Sequence, residues 1–356
     1  MSKEFFRLPA PVDPHVHLRE PGATQKEDFE TGTMAAVAGG YTTVLDMPNN
    51  PGEPTTSPEA LQEKINLAKD RVYCDIGFYF GAILDSVRHF EQIENQVFGF
   101  KTYMEETTGD LLVTEQRDLE SIFSNRSGKL PIPVHASGKT LQNAIDLAKK
   151  YNKWLHACHV ATEEGILKIK KAKEDGIRVT CEVTPHHLFL TEDDLPRLGP
   201  FGMMKPPLAT KRDQQALWDN LDIIDALATD HAPYTRNEKL NSIKPPYGVT
   251  GLETAIPLML TAVKEGRLSM KKLIELIYIN PRKIFNISET PDTYTEVDLD
   301  DSYVIDNKNL YTKAKWTPFD GAKVTGRIRK VVLRGNIIFD GENIMQPALG
   351  KVIYPK

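Results

Sequence analysis

Short apolar and β-branched runs alternate with helical patterns along most of this chain, and that rhythm limits the folds open to it. The runs cover 12–17, 41–47, 74–80, 99–103, 132–136, 155–159, 179–183 and 223–229. Between them, residues 27–37 run into Gly39-Gly40, a helix stop. Ser57-Pro58 offers an N-cap and a first-turn proline before 59–68, and 161–173 repeats apolar residues at helical spacing until Gly176. Eight strands separated by helices predict an α/β fold, a (β/α)8 TIM barrel rather than an open doubly wound sheet. No Gly-x-Gly-x-x-Gly follows the first strand, so nothing supports a dinucleotide fold. After about Ile287 the pattern changes, with 329–333 and 336–339 alternating around Arg334-Gly335 as a hairpin. The expected division is a barrel over 11–287 and a small β-rich C-terminal appendage over 288–356. The polar stretch from Arg236 to Pro246, with two prolines, reads as a long loop after the last strand.

Composition removes several functional classes. A net charge of −5 leaves no basic stripe for phosphates, so neither nucleic acid nor a membrane surface is an expected partner. No apolar run approaches the roughly 20 residues that cross a bilayer, and the first residues lack the apolar core of an export signal. Cys74, Cys158 and Cys181 are odd in number and have no scaffold spacing, which predicts reduced thiols and a cytoplasmic location.

The chemistry concentrates at the predicted strand ends. His15 and His17 stand one residue apart at the end of the first strand, where alternate side chains share a face and both imidazoles can reach one metal ion. Lys101 closes the fourth strand, His135 the fifth, His159 the sixth, and Asp230 the eighth, followed by His231. In a barrel these ends open on one rim, where active sites sit. Packing histidines belong in mid-strand; His89, in a helical stretch, and His156, on the face opposite His159, are read as structural. Four imidazoles and a carboxylate exceed what one tetrahedral zinc with an open position needs. Two metals sharing a bridging ligand use them better. A neutral lysine amine in a cationic, buried place can add carbon dioxide and bridge two metals as a carbamate.

The motifs resemble the amidohydrolase superfamily and, among its cyclic amidases, the dihydroorotases of animal multifunctional pyrimidine-synthesis proteins. The resemblance rests on Asp13-Pro14-His15-Val16-His17-Leu18-Arg19, Met47-Pro48-Asn49, Cys158-His159-Val160, Cys181-Glu182-Val183, Pro185-His186-His187-Leu188, Asp230-His231-Ala232-Pro233 and Gly251-Leu252-Glu253-Thr254. It covers nearly the whole chain. It implies one zinc held by His15, His17, Lys101 and Asp230, and a second held by Lys101, His135 and His159. Lys101 would be carbamylated and, with a hydroxide, bridge the pair. Asp230 would take the proton of the attacking hydroxide and pass it to the departing ring nitrogen. A third zinc, found in some members, would use Cys158 and Glu182, with His15 between the sites.

On the substrate side, the resemblance assigns Arg19 and Asn49 to a carboxylate, which suits the planar donors of an arginine fork. Thr107 matches a catalytic threonine on a mobile loop that folds over the substrate. Gly248 and the main chain near Lys205 match contacts to the ring amide. Two positions depart from the family. The usual Asp-His-Ala-Pro-His ends here in Tyr234, a longer and uncharged donor in the substrate-binding place, and the usual His-Ala-Glu reads His135-Ala136-Ser137. The implied reaction is reversible hydrolysis of dihydroorotate to N-carbamoyl-aspartate in de novo pyrimidine synthesis, by a homodimer that associates with other enzymes of that pathway. The alternatives are another cyclic amidase (hydantoinase, dihydropyrimidinase or allantoinase) and a catalytically silent scaffold domain.

Overall fold

Eight parallel strands form a ring around a buried core in the computed structural model, which describes residues 4–126 and 128–356. After a first strand β1 (Phe6–Pro9), the ring consists of β2 (Val12–Val16), β3 (Thr43–Asp46), β4 with β5 (Asp75–Phe78, Phe80–Gly81), β6 (Phe100–Tyr103), β7 (Ile132–His135), β8 (Leu155–Ala157), β9 (Val179–Val183) and β10 (Ala226–Leu227). Sequence neighbours pair in parallel from β2 to β4 and from β5 to β10. Two seams complete the circle. Phe98 N donates to Phe78 O at 2.9 Å and Phe80 N to Gly99 O at 3.0 Å, while His17 N donates to His231 O at 2.8 Å. The strands are buried almost throughout, as expected where helices cover the outside and side chains fill the inside. All eight predicted strands are present.

Local chemistry explains the helices that carry the rim. Asp28 caps the helix Phe29–Ala38 by accepting from Thr31 N, and the helix stops where Gly40 takes a φ of +93°. Ser137 and Thr140 close a capping box ahead of the helix Gly138–Lys150. That helix buries Leu141, Ala144, Ile145 and Ala148, one face at helical spacing. Cutting Leu141 to alanine there would cost about 2–5 kcal/mol. Among the described residues no helix is long and apolar enough to cross a membrane.

A second, antiparallel sheet runs in the order β1, β11 (Tyr294–Val304), β12 (Lys323–Leu333), β13 (Asn336–Phe339). The hairpin at Arg334-Gly335 is present; φ values of 51° and 77° fit the tight turn that matches strand twist. The sheet also recruits residues before the barrel, with Phe6 paired to Val297. The stretch after β10 corrects the loop expectation: Arg236–Asn241 is a helix. Thr235 accepts from Glu238 N while the Glu238 carboxylate accepts from Thr235 N, a capping box that outweighs the two prolines lying beyond it.

Candidate metal centre and substrate chamber

The strand ends bring the predicted ligands to one rim. The rings of His15 and His17 lie 5.2 Å apart, His15 and His159 5.3 Å, His135 and His159 4.6 Å. Asp230 Oδ1 is 3.0 Å from His17 Nε2 and 3.4 Å from His15 Nε2. His15, His17 and Asp230 place ligand atoms within 4.8 Å of one another, and so do His15, Cys158 and Glu182. His15 therefore belongs to both groups. Lys101 Nζ, wholly buried, lies 2.8 Å from Cys158 Sγ. His156 joins this cluster from behind: its Nε2 is 3.1 Å from Glu182 Oε2 and its Nδ1 2.9 Å from Thr180 Oγ1.

The backbone is bent to achieve this. Arg19, His159 and Asp230 have φ values of 64°, 36° and 46°, a left-handed conformation costing about 1–3 kcal/mol each outside glycine. Asp13 braces two of the ligand-bearing ends: one carboxylate oxygen accepts from His15 N and Thr229 N, both at 3.1 Å, the other from the Thr229 hydroxyl. In the sequence Asp13 stands out only as part of a motif, because its bracing role depends on a contact 216 residues away.

Electrostatics suits metal ligation. Burial, then the Lys101 cation, lowers His15 and His135; burial with Arg19 lowers His17, and burial with His135 lowers His159. Neutral imidazoles keep a lone pair for a metal. Burial pushes Asp230 above the usual carboxylate range. For Glu182 burial works in the same direction, but His15 and His156 outweigh it and hold the carboxyl below that range. His159 Nδ1 and His186 Nε2 are buried with no hydrogen-bond partner. Imidazoles kept neutral, paired with carboxylates and including an unpartnered ring nitrogen, form a nitrogen–oxygen donor set that fits zinc.

Beside the cluster lies a chamber lined by His17, Arg19, Asn49, Thr107, Lys205, Asp230 and Gly248. All were singled out from the sequence. Thr108 and Tyr247 also line it and carried no signal, being ordinary loop residues until folded. A side chain at Gly248 would place Cβ 2.4 Å from Ala232 O, so only backbone can face the chamber there. Arg19 Nε donates to Pro233 O at 3.1 Å, whereas its Nη2 and Asn49 Oδ1 are buried and unpartnered. The free volume is only about 20 Å³, room for one water. Loop 105–110 closes it: Asn49 Nδ2 donates to Thr108 O and Lys205 Nζ to Glu106 O, both at 2.8 Å. Ser137 anchors the root of that loop by donating from N and Oγ to Glu105. Tyr234 does not line the chamber; its hydroxyl is 2.9 Å from Thr108 Oγ1.

Comparison with known proteins agrees with this layout. The amidohydrolase family model matches residues 6–192. "Multifunctional protein CAD" of Squalus acanthias is 46% identical over 353 residues, which are 98% of this chain and 16% of that protein. This chain thus spans about a sixth of that relative's length. A dihydroorotase of Methanosphaera stadtmanae is 34% identical over 384 residues, covering 96% of this chain and 87% of the relative. Among solved structures, the L-hydantoinase (dihydropyrimidinase) of Arthrobacter aurescens superposes with a TM-score of 0.92 at 26% identity, covering 99% of this chain and 89% of the other. A family match over more than half the sequence, together with a relative 34% identical over nearly all of this chain, has one meaning: this chain belongs to the amidohydrolase family.

Proposed function

We propose that this chain is a zinc-dependent dihydroorotase, interconverting dihydroorotate and N-carbamoyl-aspartate in pyrimidine synthesis. The observation that carries the reading is Arg19 Nη2, a buried and unpartnered guanidinium donor in the same chamber as His17 and Asp230. A buried guanidinium N–H without an acceptor is costly, and a substrate carboxylate supplies one. Asn49 Oδ1, equally unpartnered, adds an acceptor for a ring N–H.

In this proposal His15, His17, Lys101 and Asp230 would hold one zinc, and Lys101, once carbamylated, would hold the other with His135 and His159. His15, Cys158 and Glu182 would hold a third. When bound, zinc makes a water more acidic and polarises the ring carbonyl. Asp230, raised by burial, accepts the proton of the water that attacks the carbonyl and returns it to the ring nitrogen as the C–N bond breaks. Arg19 and Asn49 orient the ring, the backbone at Gly248 and near Lys205 meets its amide, and Thr107 on the closed loop shields the reaction from water. The barrel occupies 11–287 and the appendage 288–356. A cytoplasmic homodimer working with other enzymes of the pathway belongs to the same proposal.

A second reading is a cyclic amidase for uncharged rings. It is favoured by the hydantoinase superposition and by Tyr234, whose hydroxyl is engaged with Thr108 instead of the chamber. The test is turnover of dihydroorotate, hydantoin and dihydrouracil by the purified protein, before and after chelation and zinc readdition. Turnover of dihydroorotate that chelation abolishes and zinc restores supports the proposal. Turnover of the neutral rings alone replaces it with the second reading, and none at all with zinc bound points to a silent scaffold.

A further inference from the structure

Tyr234 stands where the resembling family carries a histidine, and its surroundings give it a different task. Two cations face its ring, Lys26 Nζ at 4.3 Å and Arg19 Cζ at 4.8 Å from the centroid, with the Lys239 amine further off at 5.9 Å. An aromatic face attracts such charges, whereas a protonated imidazole would be repelled by them. Trp316 Nε1 donates to Tyr234 O at 2.7 Å and fixes the backbone. Held in this way, the buried ring points its hydroxyl at Thr108, 2.9 Å away on loop 105–110. A phenol reaches further from its Cβ than an imidazole does, so the contact depends on the tyrosine.

We propose that Tyr234 is a latch, a positioning residue whose hydrogen bond to Thr108 holds loop 105–110 shut over the chamber and ties closure to Arg19, which rests on the same ring. With about 20 Å³ free behind it, the loop must open for a ring-sized molecule to enter or leave. Among the described residues, Asn49 and Lys205 reach the loop from the chamber wall, and Tyr234 reaches it from outside that wall. Only the Tyr234 contact meets a loop side chain through a hydroxyl that conservative substitution removes without touching the chamber wall. Displacing Arg19 toward a substrate carboxylate would shift the ring beneath it and hence the latch. This link rests on the reading of the chamber as a carboxylate site; the latch itself does not.

Hydrogen exchange of the amides in 105–110, followed in the substrate-free, zinc-loaded protein, tests the latch directly. Tyr234→Phe and Thr108→Val should each speed exchange about fivefold, the factor one neutral hydrogen bond gives, and the double variant no further. Thr108→Ser keeps the hydroxyl and should exchange like the parent. Unchanged exchange in Tyr234→Phe, multiplicative effects in the double variant, or Thr108→Ser as fast as Thr108→Val would each overturn the proposal. Thermal melts show whether a variant has lost its fold; if Tyr234→Phe has, the Thr108 pair decides. Faster exchange together with a raised KM for dihydroorotate supports latch and substrate together. Faster exchange in a protein that never turns over dihydroorotate keeps the latch and discards the substrate.

Discussion

The two halves of the site are built differently. The metal half hangs on strand ends: His15 is the last residue but one of β2, His135 closes β7 and Asp230 comes three residues after β10, all are buried, and groups such as Asp13 that span strands brace them. The substrate half hangs on loops, with Asn49, Thr107, Lys205 and Gly248 all outside strands and the cover held by single hydrogen bonds. Strands fix ligands to within the tolerance a metal demands, whereas loops can change the ring they accept without disturbing the chemistry. The departures at Tyr234 and Ser137 fit that division: both act on loop 105–110, and neither is one of the expected metal ligands.

Substitutions that separate the halves should rank by depth. Lys101→Ala strikes the metal half at its centre; bound zinc and turnover should fall together, activity by about a thousandfold, since metal polarisation supplies several kcal/mol. Metal analysis beside kcat checks this, and a fully active two-zinc variant would refute the carbamate. Arg19→Ala should spare zinc but raise KM for dihydroorotate roughly a hundredfold, the loss of charge-assisted bonds worth about 1.5–3 kcal/mol. Equal losses on dihydroorotate and dihydrouracil would deny Arg19 its part in reading the carboxylate. Asp13→Asn loosens the brace behind His15, and zinc affinity should drop about tenfold, measured by competition with a chelator.

The smallest effect concerns pH. The four rim histidines are held below 6.5 by burial, so at these four sites the metal-free folded chain binds fewer protons than the unfolded one, while Asp13 and Glu253, both raised to about 7 by burial, act in the opposite sense. The histidines' contribution to stability is full above pH 6.5 and shrinks as pH falls below it. Between pH 7.5 and 5.5 the melting temperature of the metal-free protein should therefore fall more steeply, or rise less, than that of a His135→Gln variant. A parallel course in both would place the titration elsewhere.

How far the sequence predicted each part depended on the range of the interactions that build it. Strand order and the ligands at strand ends follow from local pattern, because alternation and the run into Gly39-Gly40 are written in neighbouring residues. The sheet formed by β1 and β11 was hidden, since Phe6 pairs with a residue 291 positions further on. The helix Arg236–Asn241 was legible in Thr235 and Glu238, three apart, but two prolines drew the reading to a loop. Residue identity marked Tyr234 as unusual; only the fold shows its hydroxyl on Thr108, 126 residues away.

A metal rim joined to an unpartnered arginine should select a cyclic amide that bears a carboxylate. That selection is tested most directly by kcat/KM of the zinc-loaded protein for dihydroorotate against dihydrouracil. A preference of about a hundredfold or more for dihydroorotate, lost in Arg19→Ala, is expected. Equal or greater efficiency on dihydrouracil would contradict it.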